Sequence, residues 1–484
     1  MRIPSLIFIL WWFKATICLA DHIQRELNYW AQKDVVISIL TPGSSHVTWV
    51  LEIGQELASK GHNVTFLARD DNLRYAKDYP GVNVQSISEP IFTMNDESWA
   101  DVLKKEDSRI ENSPVPYINS YVAGAPTTEN ESIWTRIYNN YIYPAKIIWN
   151  LRNIIKESAQ MRKQLGITSA YQLVPKKIND VVKLVNNFYG FEPSRPATPL
   201  VRYVGPVMQK TFQDLETSHQ QFLDNHQRVA YVAFGHHAIA SHAEFEQVLT
   251  ALIESVERGT IDGFMWAIVK RTLLPESVTT YRGNLLNVTD IMEHPEKHPH
   301  YLFPRWAPQF AILSHSATAI FVTHGGANSI FEGYYTGKKM LAHPYFSDQP
   351  GNAKLLVASG AGMEYDRRSL NASDIMHKIE TIVKDENGKF ATNIKRMSAL
   401  AQIKARDAAR NGASVVEEVL FTALGDKVPH LYLPSRKMSY LKATNSDINL
   451  MLFSSIVLFV LGIHKIKIWI ATSTQFQKVK SKKE

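Results

Sequence analysis

His324, Gly325, Gly326, Ala327, Asn328 and Ser329 stand between three strand formers, Phe321-Val322-Thr323, and a helix-compatible run, Ile330-Phe331-Glu332. A strand that ends in glycines and opens a helix points bare backbone N–H groups outward. The helix dipole adds about half a positive charge there. Such a turn suits an anion, phosphate above all. Gly325 and Gly326 allow close approach, and His324 and Ser329 can donate hydrogen bonds. The same residues also fit an ordinary strand–helix turn, so the neighbourhood decides. Upstream, Trp306 and Gln309 lie in Arg305-Trp306-Ala307-Pro308-Gln309 and offer a ring for a base and an amide for its polar edges. Glu332 follows Ser329 by one helical turn, where it can grip ribose hydroxyls. Asp348-Gln349 follow a strand pattern at 339–342, an acid and an amide placed to hold sugar hydroxyls. The order aromatic ring, phosphate turn, hydroxyl-binding acids describes a nucleotide-sugar pocket.

A second cluster lies far upstream. His46 ends the loop Pro42-Gly43-Ser44-Ser45-His46 after the first strand pattern. Open α/β sheets carry their chemistry at that end of a strand. An imidazole, with an ordinary pKa of about 6.5, suits removal of a proton from a hydroxyl. Gly235 and His236, in Phe234-Gly235-His236-His237, form another strand-to-loop junction. His236 can donate to phosphate, or both histidines can simply face solvent. No acidic DxD and no HExxH argues for a metal ion. The one cysteine is Cys18, so disulfide, thiol and Cys-based metal chemistry are excluded from a processed chain. A dinucleotide oxidoreductase needs GxGxxG between the first strand and helix. Thr41-Pro42-Gly43-Ser44-Ser45-His46 stands there instead, and Gly360-Ala361-Gly362 lacks the third glycine.

The elements that must position these residues can be read from the hydrophobic pattern. Residues 35–40 form a continuous apolar run, the pattern of a parallel strand buried on both faces. A helical pattern at 47–60, ended by Gly61, leads to a strand at 63–68, one βαβ unit. Residues 82–87 read as a third strand. From Ser88 to about Asp180 no apolar strand run occurs, and 181–186 is the next candidate. Residues 207–225 read as a polar linker. Alternation then restarts, with strands at 228–234, 263–269, 301–303, 317–323 and 339–342 and helices at 244–257, 328–335 and 353–358. That is a second Rossmann-like sheet. The 484 residues suffice for two such domains.

Both ends carry bulk signals. Residues 1–20 begin with Arg2, run apolar over 6–13 and end Cys18-Leu19-Ala20. They read as a signal peptide cut after Ala20, or as an uncleaved anchor, for which the apolar run is short. Residues 448–470 read as a transmembrane helix whose Lys465 and Lys467 snorkel to the head groups. The alternative is a buried C-terminal helix. The tail, 471–484, holds Lys478, Lys480, Lys482 and Lys483, which belong on the cytoplasmic side. Its last residues match a dilysine retrieval address. The net charge of +7 is therefore mostly a tail effect and does not point to nucleic acid. Asn130, Asn287 and Asn371 stand in glycosylation acceptor triplets.

From Trp306 to Gln349 the chain resembles the UDP-glycosyltransferase family, the glucuronosyl- and glucosyltransferases, through W-x-P-Q, H-G-G-x-N-S and D-Q. Weaker likeness covers most of the chain, and the membrane-bound eukaryotic branch is the most similar. The resemblance implies an α/β protein of GT-B architecture, two Rossmann-like domains facing a cleft, plus the C-terminal helix. Residues 21–207 would form an acceptor-binding domain and 208–430 a UDP-sugar-binding domain. Trp306 would stack uracil, with Gln309 on uracil or ribose and Glu332 on ribose. His324, Gly326, Asn328 and Ser329, with Gly235 and His236, would hold the diphosphate, and Asp348 and Gln349 the sugar. His46 would be the base for an inverting transfer of glucose or glucuronate to a small lipophilic acceptor. No metal or other cofactor is implied. The expected place is the endoplasmic reticulum membrane, single-pass, with the catalytic domains lumenal; homo- or hetero-oligomers stay open. Two departures stand out. His236 replaces a small hydroxyl residue, and the segment carrying the aspartate that orients the base is missing from the strand-poor stretch after Ser88. Asp96, Asp101 and Asp107 lie near, but none follows a strand. An impaired or inactive UDP-sugar-binding relative is therefore the alternative.

Overall fold

The computed structural model describes residues 31–39, 43–87, 130–164, 166, 181–235, 240–269, 271–280, 282–283, 285–345, 348–366 and 371–480. The signal-peptide reading, His236, the aspartates after Ser88 and the last four residues lie outside them.

The first half opens with β1 (Asp34–Ile39), α1 (Ser44–Ser59), β2 (Asn63–Ala68) and β3 (Val82–Ser86). The strands pair in parallel in the order β1-β2-β3. Val47, Leu51 and Leu57 of α1 bury one face of this sheet. Gly54 permits close contact there, since a Cβ on it would come within 2.9 Å of Ile37 Cδ1. The expectation that β1 is covered on both faces fails. Its residues alternate, and Val36 is 60% exposed. An apolar run names a strand but not its neighbours, and among the described residues β1 is the edge of a three-stranded sheet.

A short helix α2 (Ile133–Ile137) passes through a π turn into α3 (Tyr143–Gln164). β4 (Lys183–Val185) pairs with β5 (Val201–Tyr203) in a separate parallel pair. The stretch read as a polar linker contains α4 (Thr217–Asp224), whose Leu223 is fully buried. One apolar anchor suffices to hold a polar helix, and that signal is too sparse to stand out in sequence.

The second half is a six-stranded parallel sheet built from β6 (Val229–Ala233), β7 (Gly263–Ala267), β8 (Tyr301–Leu302), β9 (Thr318–Thr323), β10 (Lys339–Ala342) and β11 (Gly362–Glu364). Their order is β8-β7-β6-β9-β10-β11. Strand side chains alternate between faces. Ala230, Val232, Phe264, Trp266, Ile320 and Val322 meet α5 (His242–Glu257) and α9 (Ala372–Lys384) on one side. Tyr231, Met265, Phe321 and Met340 meet α7 (Ala327–Tyr335), α8 (Gln349–Ser359) and α10 (Lys389–Ala405) on the other. α6 (Gln309–Ser314) completes this side.

The halves pack on each other. Phe188 and Phe191 of the first half pack on Phe331 of α7, with ring centroids 5.7 and 5.6 Å apart. Then α11 (Ala408–Thr422) crosses back and lies on α1. There Glu417 takes Lys60 at 2.6 Å and His62 at 3.3 Å. Beyond it, α12 (Ser446–Lys480) is one continuous helix. Its span 446–472 is apolar and 0% buried. At 1.5 Å per residue it is about 40 Å long, more than the ~30 Å of a hydrocarbon core.

The crossing depends on Gly412, where a Cβ would meet Ile53 Cδ1 at 2.5 Å and Cγ1 at 2.8 Å. Gly412→Leu should therefore lower the unfolding free energy by about 1–3 kcal/mol through overpacking. Chemical denaturation checks this, and an unchanged midpoint would show that α11 does not press on α1.

Candidate active site

The strand order of the second sheet reverses between β6 and β9, and ligands of open α/β sheets bind beyond the carboxyl ends at such a point. β6 runs out into Phe234 and Gly235, and β9 into His324, Gly325 and Gly326. Gly325 takes φ +81°, a conformation L side chains rarely adopt. Its N–H donates to Thr323 Oγ1 at 3.3 Å, and its carbonyl accepts from Asn352 Nδ2 at 3.0 Å. Gly326 has φ −62°, open to any residue, but a Cβ there would sit inside the contact distance of His324 Nε2 and 3.0 Å from Cε1. A Cβ on Gly235 would reach the same ring at 3.3 Å. The imidazole thus occupies the space that two missing side chains leave.

Gly326 is the N-cap of α7. No side chain caps this helix and no carboxylate stands in its first turn. The first-turn amides and the helix dipole are therefore available to an anion.

A second group closes around the same helix. Gln309, first residue of α6, donates through Nε2 to Glu332 Oε2 at 2.7 Å and to Ser329 Oγ at 3.2 Å. Trp306 is 46% exposed, three residues before Gln309, with its indole free to take a stacked ring. Burial pushes the Glu332 carboxyl up to about 7, against the lowering effect of the Gln309 bond.

Asp348 and Gln349 open α8. Asp348 Oδ2 accepts from Asn352 Nδ2 at 2.9 Å, and Gln349 Oε1 accepts from the Tyr345 N–H at 2.9 Å. Asn352 thus ties this loop to the glycine turn, a role whose signal was its one-turn spacing after Asp348. Behind the loop, His343 lies 4.0 Å from Glu244 and stacks on Tyr365. Glu244 closes a capping box with Ser241 at the start of α5. Ser241-x-x-Glu244 is the sequence pattern of that cap, whereas nothing in the sequence pairs it with His343.

His46 does not end a loop. It lies in the first turn of α1 with its side chain exposed. Gly43, at φ +114°, precedes the helix, and Asn72 Oδ1 accepts from its N–H at 3.3 Å. The two halves meet here: Asn328 Nδ2 donates to Ser45 O at 3.2 Å, one residue from His46. The N-termini of α1 and α7 therefore face each other across the cleft. Among the described residues no cluster of three His, Cys, Asp or Glu could hold a metal ion.

The Glu332 carboxyl sets a pH dependence. Its folded pKa, about 7, lies above the ordinary 4.5. Between these values the folded chain keeps a proton that the unfolded chain has lost, so stability falls as pH rises toward 7 and stays lower above it. Glu332→Gln should remove that slope. Thermal melts should match near about pH 4 and favour the variant at about pH 8. Equal slopes in both proteins would contradict the assignment.

A family model described as UDP-glucoronosyl and UDP-glucosyl transferase matches residues 97–409. The chain is 29% identical to a UDP-glycosyltransferase of Talaromyces amestolkiae over 374 residues, 73% of this chain and 69% of that protein. It is 31% identical to UDP-glycosyltransferase 1 of Phaeomoniella chlamydospora over 351 residues, 68% of this chain and 69% of that protein. The glycotransferase of kitacinnamycin, at 15% identity, superposes with a TM-score of 0.50 over 80% of this chain and 98% of that one, a likeness of fold. With the switch-point turn, the opposed helix N-termini and these matches, the chain belongs to the UDP-glucuronosyl and UDP-glucosyl transferase family and is a UDP-glycosyltransferase of GT-B architecture.

Proposed function

We propose that the chain transfers a hexose, glucose or glucuronate, from its UDP ester to a hydroxyl of a small lipophilic acceptor, with inversion at C1. The contact of Asn328 with Ser45 carries this reading, because it brings the phosphate turn to the residue beside His46. The His46 imidazole takes the proton of the acceptor hydroxyl. The oxygen attacks C1 from the side opposite UDP, the C1–O bond breaks, and its electron pair leaves with the β-phosphate. The α7 amides, the helix dipole and His324 meet the charge that develops there. Trp306 stacks on uracil, while Gln309 and Glu332 take the ribose. Gly235, Gly326, Asn328 and Ser329 line the diphosphate, and Asp348 and Gln349 face the sugar. An acid and an amide suit the hydroxyls of glucose better than the carboxylate of glucuronate. We place the catalytic halves in the lumen of the endoplasmic reticulum, with α12 crossing the membrane and the lysine tail cytoplasmic.

The second reading is a UDP-sugar-binding relative with impaired catalysis. The strand-poor stretch after Ser88 favours it, since the aspartate that the family uses to orient the base is expected near the end of a later strand of this half.

UDP release from UDP-glucose and UDP-glucuronate, measured on membranes carrying the full chain with a panel of phenol and sterol acceptors, separates the two. Acceptor-dependent release should fall by about 10²-fold or more in His46→Ala while UDP binding is kept. A wild-type chain that binds UDP and releases none would favour the impaired relative.

A further inference from the structure

The helix from α2 through α3 carries a row of exposed rings. Trp134 and Tyr138 stand one turn apart where the helix enters the π turn, and Tyr141 and Ile142, at its end, stand about two turns before Trp149, so rings follow one another along the helix on both sides of that turn. Trp134 and Tyr141 are each 75% exposed and Trp149 66%. Both tryptophans of the helix and Tyr141 therefore stand largely in water, where an amphipathic helix of a soluble fold would keep them inside. No described element packs extensively along α3.

The same side then turns basic. Arg152, Lys156 and Lys163 continue the row, and Lys146 lies beside it. Over residues 133–164 six cations, Arg136 and Arg162 included, stand against Glu157 alone. Rings and cations touch: Lys146 Nζ lies 5.1 Å over the Tyr138 ring and the Arg152 guanidinium 4.3 Å over Trp149.

Each half of this pattern restricts the occupant. Trp and Tyr side chains combine an apolar body with a polar tip and settle at the level of lipid head groups. Cations on the same side are drawn to anionic head groups. A purely apolar partner would draw charged side chains of this face out of water, and a purely acidic one would leave the rings in water. We propose that this ridge is a second membrane contact, lying in the head-group layer of an anionic bilayer while α12 spans it. The proposal rests on the reading of α12 as the anchor, which holds the chain at the surface where the ridge acts.

The test uses the full chain in vesicles. Cys18 is the only cysteine, so Cys18→Ser with Ala145→Cys gives one label site, in the centre of the ridge and exposed. Lys395→Cys in the same background is the control, on an exposed position of α10. An environment-sensitive fluorophore is attached to each, and vesicles contain phosphatidylserine and phosphatidylcholine with a head-group spin label. The chain should float with the vesicles, and the label at 145 should be quenched about twofold or more beyond the label at 395. Trp134→Ser with Trp149→Ser should abolish that excess while flotation persists. A floating chain whose label at 145 stays as open to aqueous iodide as the control would overturn the ridge and leave the anchor intact. So would a label shielded equally in detergent, which would mean a protein partner or a second copy. A chain that does not float would overturn the anchor and the ridge together.

Discussion

The turn proposed to take the donor depends on one packing constraint, the His324 ring held against the backbone of Gly326 and Gly235. The ring has room only because neither glycine carries a Cβ. Gly325 supplies the backbone angle that turns the strand into α7, and Gly326 supplies the clearance. With both conditions met, the first turn of α7 keeps its amides open and brings a histidine beside them. The other residues proposed for the donor are arranged around that turn. Asn352 binds its carbonyl and the Asp348 carboxylate at once, and Gln309 bridges Ser329 and Glu332 one turn further along the helix.

The site needs both halves of the chain, and the structure ties them at three levels. Phe188 and Phe191 are core residues of the second half although they come from the first. α11 returns to α1 and packs on the helix whose first turn carries His46. Asn328 then makes the direct contact to Ser45. Under the proposed function this arrangement would hold donor and base in a fixed relation, which is where proximity contributes most to a bimolecular transfer.

Much of this was legible in the sequence. Strand and helix runs alternate regularly after residue 228, and the parallel sheet follows from them. The glycine turn was readable only through its neighbours, since alone it also fits an ordinary strand–helix turn, whereas Trp306, Gln309, Glu332 and Asp348-Gln349 flank it in the order a nucleotide-sugar needs. What stayed hidden has physical causes. The run at 35–40 shows that β1 is a strand, yet burial on two faces depends on neighbours the run does not encode. His46 reads as a loop residue because Gly43, Ser44 and Ser45 are poor helix formers, whereas the turn pinned by Asn72 starts the helix earlier. The linker reading missed α4, held by buried Leu223. The aromatic ridge of α3 also escaped notice, since Trp and Tyr at helical spacing look the same whether they face a core or water. The bonds of Asn352 and of Gln349 depend on rotamers that no local pattern fixes.

In the proposed function the turn at Gly326 takes the diphosphate while Trp306, Gln309 and Glu332 take the nucleoside. Calorimetric titration of UDP and of uridine into the full chain and into Gly326→Ala tests it most directly. Alanine suits the backbone angle of Gly326, so the variant keeps the helix and loses only the clearance beside His324. The predicted result is UDP affinity weakened by about tenfold or more, toward that of uridine, with uridine affinity unchanged. Equal loss for both ligands, or loss for neither, would contradict the assignment of the turn to phosphate.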